Sequence, residues 1–585
     1  MKKTKTLILL SVFLLAALML AACSSERERT LKPSPDWSRG IRVGRDLAGT
    51  IGLVVDEQAG IAHMVWPVQA EEGWLIHYLQ MTQETEVLID QNLDLGSTRV
   101  RTPRLLPAAD GRLHLFFGSR ASGGGDWGLW YAQLYASNGE LVSAPIQISA
   151  ADVNVSDYSP APDGQGGVVV AWARDGRGDL FGARIGPEGD LLQTQTLLVE
   201  GGHSPSVRIS QDSVTHLVWL QENDVMYAML AAGQLEPPTG TALTTLRAGI
   251  GLSIYGPELG LDHDYVYVLW SLLFQSGTEA GTATTQFVSF PRGFPQPGQP
   301  QNIGVMPVED APIAPYSGFF NLGGLIPPPE RLYSSDFVYQ PFATYTEHPE
   351  LAAALVANQQ VRRDSFDQPV IAIFSEGQYK GYLNAGKTTS LSSAPIMVTG
   401  ADGDLYMLWR EGSAGQYSYF ATTNLAVRAL LDQVTVLDVA NAALLGGLEG
   451  VTTMLCFPIA GIGWLMPGLI LLGVWKLARE QEDLQHIGSW IVLLIAFLIY
   501  QAVKILTMPG VLSYVPFSAW IEVTPVWEPV LRYGVPLFIL GLAITAAEFF
   551  RRRRTQSALV YYIILVIIDG LLTLGIYGVT FLGEG

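Results

Sequence analysis

Cysteine is nearly absent from this 585-residue chain, which has only Cys23 and Cys456. That excludes a disulfide framework or a cysteine-based zinc site in the long segment between them. Positive charge is also scarce, with 35 Lys and Arg against 54 Asp and Glu, a net charge of −19. The imbalance is local. Residues 24–429 hold 24 basic and 43 acidic side chains, residues 430–585 hold 8 and 11, and three lysines stand at the start. Nucleic acid is therefore not expected as a partner, nor an anionic lipid surface as the main partner of the acidic segment. No phosphate-cradling glycine loop, Gly-x-Ser-x-Gly elbow or His-Glu-x-x-His pair occurs, so no cofactor is expected and the catalytic residues, if any, are unknown. Residues 24–429 also lack long apolar runs, which are confined to residues 7–20 and to the chain beyond about 430.

The first apolar run follows Lys2, Lys3 and Lys5 and ends at Leu20-Ala21-Ala22-Cys23, the layout of an export signal with small residues at the cut. The tetrad resembles the lipobox of bacterial lipoproteins. That resemblance implies a signal peptide over 1–22 and lipidation of Cys23; the alternative is an uncleaved signal anchor. Residues 23–48, with two prolines and the run Glu26-Arg27-Glu28-Arg29, read as a lipidated cysteine and a polar tether.

Within 49–429 one phrase recurs: a proline, a short alternating strand, an Asp/Gly turn, then an apolar strand ending in an aromatic. Copies run from Thr102 to Phe117, Ser159 to Trp172, Ser204 to Trp219, Gly256 to Trp270 and Ala394 to Trp409, and an earlier one ends at Trp66. The aromatics from Trp66 to Trp270 fall at intervals of 51, 55, 47 and 51 residues, the spacing of a propeller or other repeat array. Proline suits the start of a strand, where its missing N–H costs no ladder bond. Asp110-Gly111 and Asp402-Gly403 suit tight hairpins. A third strand follows, carrying Tyr78, Tyr131, Phe181, Tyr227 or Tyr417. The stretch from Trp270 to Trp409 is irregular and reads as one divergent blade with an insertion near 291–365, including a short helix around Pro349 to Asn358. The expected fold is thus an all-β propeller of six or seven blades. The phrase resembles the sialidase-like propellers of secreted bacterial proteins over about 49–423, although no intact Ser-x-Asp-x-Gly-x-Thr-Trp box is present and no catalytic residue is carried over.

His63, His114 and His216 each precede the terminal aromatic by three residues, while Val169, Tyr267 and Tyr406 take the same place in other units. An odd separation puts histidine and aromatic on opposite faces of the strand, so these rings read as packing between blades, not as ligands. Asp110, Asp163, Asp212, Asp262, Asp264, Asp402 and Asp404 fall in hairpin turns, where Asp accepts local hydrogen bonds. A pair of them could serve as the two carboxylates of a glycoside hydrolase. Asp262-His263-Asp264 lacks the ligand spacing of an EF-hand, and no metal site is assigned.

Beyond the juxtamembrane segment 430–451, residues 452–585 read as a helical membrane domain of about four spans, near 452–476, 487–508, 530–550 and 558–579. Lys476, Arg479 and Arg551 to Arg554 would face the cytoplasm, and the loop 509–529 has neither Lys nor Arg. This places the propeller outside, with the lipid bilayer as partner. Lys504 and Asp569 are ionisable residues within spans and are expected to pair; otherwise Lys504 snorkels and Asp569 bonds within its own helix. The expected function is a membrane-anchored binding, scaffold or sensing module taking a glycan or protein ligand on the propeller face. The alternative is a sialidase-like hydrolase at the cell surface.

Overall fold

A computed structural model of the chain describes residues 28–581, apart from 46, 48, 72, 98, 109, 121–124, 177, 232–234, 247–248, 250, 309–310, 331–336, 362–363, 413–415, 436–437, 439–445, 449, 480–482, 509, 519–525 and 554–556. The polypeptide divides into a β unit, residues 27–433, and a helical unit containing residues 434–585.

The β unit is a seven-bladed propeller, each blade a four-stranded antiparallel sheet. The first blade shows the plan: Gly52–Asp56, Ile61–Ala70, Gly73–Thr82 and Val87–Leu93 follow one another outward. Alternation along the second strand explains how blades stack. Met64 and Trp66 enter one interblade core, whereas Val65 enters the next. Trp66, Phe117, Trp172, Trp219, Trp270 and Trp409 are all buried at this place.

The sixth blade contains Val338–Ala343, Glu350–Val361, Asp364–Ser375 and Gln378–Asn384. Glu350–Val361 is a strand, not the expected short helix, and the insertion shrinks from 291–365 to about 303–337. Alanine favours helix in isolation, but here Ala352 and Ala354 enter one interblade core while Leu351, Ala353, Leu355 and Ala357 enter the other. Burial on both faces overrides local propensity. Register places Leu355 where other blades carry the aromatic, since Phe342↔Ala354 and Tyr339↔Val356 match Glu258↔Leu269 and Tyr255↔Ser271 around Trp270.

Residues 28–48 are not a tether. Ile41–Arg45 pairs with Tyr417–Thr422 as the outermost strand of the seventh blade, joining the two ends of the propeller sequence. Trp37 is fully buried, Ser38 N donates to Thr422 O at 3.0 Å, and Lys32 pairs with Asp432 at 2.7 Å. Pairing with Tyr417–Thr422 satisfies that strand's outer edge and closes the ring, which orders a segment of polar composition here. At Gly44 the backbone approaches Trp66 so closely that a Cβ would lie 2.6 Å from the indole.

In the helical unit, Phe457–Arg479, Ile487–Thr507, Glu528–Arg553 and Ala558–Phe581 are long and apolar enough to cross a membrane. Small residues sit at their contacts; a Cβ at Gly468 would meet the Tyr562 hydroxyl at 2.0 Å. Large apolar side chains such as Leu477, Leu494 and Leu537 point outward.

Candidate functional site in the propeller channel

The first strand of every blade lines a central cavity of about 650 Å³, within the range of small-molecule sites. Five of these inner strands share a distortion. Register shifts occur across Thr102-Pro103, Ser204-Pro205, Gly256-Pro257, Gln340-Pro341 and Ala394-Pro395, so each is a β-bulge. The residue before proline has a positive φ in all five, from 48° to 94°, and four of them are not glycine. Proline therefore stands inside the strand, not at its start as the repeat pattern suggested. An inner strand has a free edge toward the axis, so the missing N–H breaks no ladder bond. The bulge costs of order 1 kcal/mol at each non-glycine position. Cross-links between neighbouring blades offset that cost: Ser206 Oγ accepts from Leu259 N at 3.1 Å, and Gln340 Oε1 accepts from Ala394 N at 2.6 Å.

The residue after each bulge proline is Arg104, Ser206, Glu258, Phe342 or Ile396, and four of these line the cavity. The result is a two-sided wall. Blades two to five contribute Arg104, Asp157, Arg208 and Glu258; blades six, seven and one contribute Phe342, Ile396, Met397 and Leu53. Arg208 lies 3.9 Å from Glu258 and donates to Ala343 O at 3.0 Å. Ser206 Oγ donates to Glu258 at 3.4 Å. Tyr158 O–H donates to Phe116 O at 3.1 Å and also to Thr102 O, tying the third blade to the second. Arg104 has no carboxylate within 4 Å among the described residues.

Protein surrounds these groups although solvent reaches them along the channel. Desolvation raises the carboxyls of Asp157 and Glu258 above the ordinary range, opposed by Arg104 and, for Glu258, foremost by Arg208. Desolvation also lowers Arg208 from its ordinary value. The cavity reaches the turns between first and second strands, where Asp163, Gln165, Ser210 and Gln211 form its rim.

Three of the turn aspartates are engaged in local hydrogen bonds. Asp163 accepts from Gln165 N and Gly167 N, both at 2.8 Å. Asp262 accepts from Asp264 N at 2.8 Å and Tyr267 O–H at 2.8 Å, and Asp404 accepts from Asn321 and Asn424. Among the described residues no group of three or more His, Cys, Asp and Glu is placed to hold a metal. His63, His114 and His216 contact Tyr78, Tyr131 and Tyr227 hydroxyls at 2.7, 2.7 and 2.6 Å, forming a repeated buried pair between strands. Cys23 lies outside the described residues. In the helical unit, Lys504 Nζ lies 2.5 Å from Asp569 Oδ2, with both side chains buried.

The histidine pairs carry a pH prediction. Burial drives His63 and His216 down to about 4 and lowers His114 as well. In the unfolded chain His63 and His216 protonate near 6.5; in the folded chain they stay neutral until about pH 4. Their stabilisation is full above 6.5 and lost as pH falls through this window, at about 3 kcal/mol each for His63 and His216. Glu411, which accepts from Trp409 Nε1 at 2.9 Å, acts in the opposite sense. Burial pushes its carboxyl up to about 7, so its charged form destabilises the fold as pH rises from 4.5 through 7. Thermal melting is expected to fall between about pH 6.5 and pH 4, with Glu411→Gln raising the melting point at pH 7.5 but not at pH 4.5. A melting point flat across this range would contradict the histidine assignment, and an unchanged melting point of Glu411→Gln at pH 7.5 would contradict that of Glu411.

No protein-family model matches the sequence, and no curated protein matches it. Among solved structures, the chain is similar to an ulvan lyase of polysaccharide lyase family PL25 bound to -[GlcA(1-4)Rha3S]-. Identity is 11%, the TM-score is 0.43, and the match covers 67% of this chain and 100% of that one. Trypanosoma rangeli sialidase matches at 9% identity and a TM-score of 0.33, over 72% and 61% of the two chains. An endo-arabinase from Bacteroides thetaiotaomicron matches at 9% and 0.29, over 65% and 96%. No residue role is carried across from any of them.

Proposed function

We propose that the protein is a membrane-held binding protein that receives a saccharide in the propeller channel. The two-sided wall is the supporting observation. A sugar presents hydroxyls that Arg104, Asp157, Arg208 and Glu258 can bond, and a C–H face that suits Phe342, Ile396 and Met397. The four apolar helices hold the chain in the bilayer. The leader ending at Cys23, lipidated in this proposal, and the basic residues Lys476, Arg479 and Arg551 to Arg554 support an extracytoplasmic propeller.

The test is binding of a labelled oligosaccharide panel to intact, unpermeabilised cells making the full chain. Binding is expected without permeabilisation and to weaken at least about tenfold, or 1.4 kcal/mol, in Arg104→Ala and Glu258→Gln. Retained affinity in both variants would remove the channel as the site. One observation favours a hydrolytic reading: the partly enclosed carboxyl of Glu258 is raised by desolvation, as a general acid requires, while Asp157 stands open to the channel as a second carboxylate. In that reading the same panel is cleaved, and Glu258→Gln binds sugar but releases no product.

A further inference from the structure

A second pocket, of about 410 Å³, lies at the opposite end of the blades from the channel rim. Its described walls are Gly73 and Trp74 at the start of the third strand of blade one, Arg99 to Arg101 at the entry to blade two, and Arg120 and Trp127, which flank the second-to-third connection of blade two. In an antiparallel meander these lie at the other end from the turns bearing Asp163 and Gln165. Arg99, Arg101, Arg120, Trp74 and Trp127 converge here.

Three arginines in one pocket of a protein with net charge −19 require a counterpart. Seven other arginines of the propeller lie within 4 Å of a carboxylate. Among the described residues Arg99, Arg101 and Arg120 have none. The guanidiniums of Arg101 and Arg120 both lie over the Trp127 ring, 4.2 and 4.7 Å from its centre, and each opposes the charge of the other. Arg101 also donates to Val155 O at 2.6 Å, which fixes it from below, whereas Arg120 Nε is shut off from solvent without a hydrogen-bond partner among the described residues. A buried donor left unmade is costly, and a bound anion would satisfy it.

We propose that this pocket binds an acidic sugar, a ring bearing a carboxylate or sulfate. Arg99 and Arg120 hold the anion, Trp127 is the shelf that keeps two like charges together, and the half-buried indole of Trp74 takes the ring. A lone inorganic anion would leave Trp74 and most of the volume unused. Asp157 and Asp175 act on Arg101 in the sense that favours its charge, but neither lies within 4 Å of it, which leaves Arg99 and Arg120 to meet the anion.

The test uses the full chain in detergent, titrated calorimetrically with galacturonate and galactose 6-sulfate, against galactose and inorganic sulfate. At least one acidic sugar is expected to bind about tenfold or more tightly than either control, and to weaken as salt rises from about 50 to about 300 mM. The two acidic arms decide between carboxylate and sulfate. Arg99→Ala and Arg120→Ala are each expected to cost at least about tenfold and Arg120→Lys less. Melting points equal to wild type establish that the variants are folded, and Arg120→Lys serves in place of any that is not. Equal binding of galactose, equal binding of inorganic sulfate, no binding of either acidic sugar, or unchanged affinity in folded arginine variants would each overturn the proposal.

Discussion

A chain beginning at residue 49 is expected to fail to form a stable propeller, whereas one beginning at residue 28 and ending at 433 folds. The shorter chain keeps every complete phrase of the repeat, so a reading based on the repeat alone predicts no difference. Register predicts a large one. Removing Ile41–Arg45 exposes the edge of Tyr417–Thr422 along the pairing from Ile41↔Phe420 to Arg45↔Tyr417. It also removes Ile41, Val43 and the fully buried Trp37 from the core. At about 1.5–3 kcal/mol for each large apolar side chain, the loss approaches 5–9 kcal/mol, comparable to the whole stability of many domains. Gly44→Val tests the same closure without truncation, because its side chain has no room beside Trp66 and Ser418. Circular dichroism and thermal melting of the three chains provide the comparison. A cooperative melt of the 49–433 chain near that of the 28–433 chain would show that ring closure contributes little.

What the sequence made legible followed from periodicity. The aromatic-ended strands recur because each second strand inserts between two blades, and Trp66, Trp172, Trp219 and Trp270 mark that place directly. Blade six is legible only as a divergent blade with too large an insertion, because Leu355 replaces the aromatic and an alanine-rich strand carries helix propensity. Ile41–Arg45 escaped because its partner strand lies more than 370 residues away in sequence, and no local pattern encodes such a pairing. The histidines were read as packing, and their tyrosine partners agree with that reading.

The channel charges were missed for a different reason. Asp in turns stands out in the sequence, but local hydrogen bonding already explains it. The informative slot was the residue after the bulge proline, which reads Arg104, Ser206, Glu258, Phe342 and Ile396 along the repeat. A repeat position that varies between charged and apolar while its neighbours keep their pattern marks a surface facing the axis and not the core. Asp157 belongs to a blade whose bulge falls at Ser156 instead, so even that rule would not have found it.

Asp569→Asn is expected to destabilise the helical unit by about 3–5 kcal/mol, because it leaves the Lys504 ammonium buried without its counter-charge. The partners form two facing steps of one helical turn. Tyr500 and Lys504 are four residues apart on Ile487–Thr507, and Asp569 and Thr573 are four apart on Ala558–Phe581. Tyr500 O–H donates to Asp569 Oδ2 at 2.5 Å, Lys504 Nζ approaches the same oxygen at 2.5 Å, and Lys504 Nζ lies 3.5 Å from Thr573 Oγ1. Counted along their helices, Lys504 and Asp569 differ by six residues, roughly 9 Å of rise, which the long lysine stem spans by lying over the Tyr500 ring at 5.3 Å. Lys504→Met is expected to cost less than Asp569→Asn, since Asp569 keeps its hydrogen bond from Tyr500, while a stranded ammonium finds no acceptor of equal strength. The double variant should be more stable than Asp569→Asn alone, with a coupling of about 2 kcal/mol or more. Unfolding of the four proteins in mixed detergent closes the cycle. Additive effects within about 0.5 kcal/mol would mean that the two residues act independently, with Lys504 stabilised elsewhere.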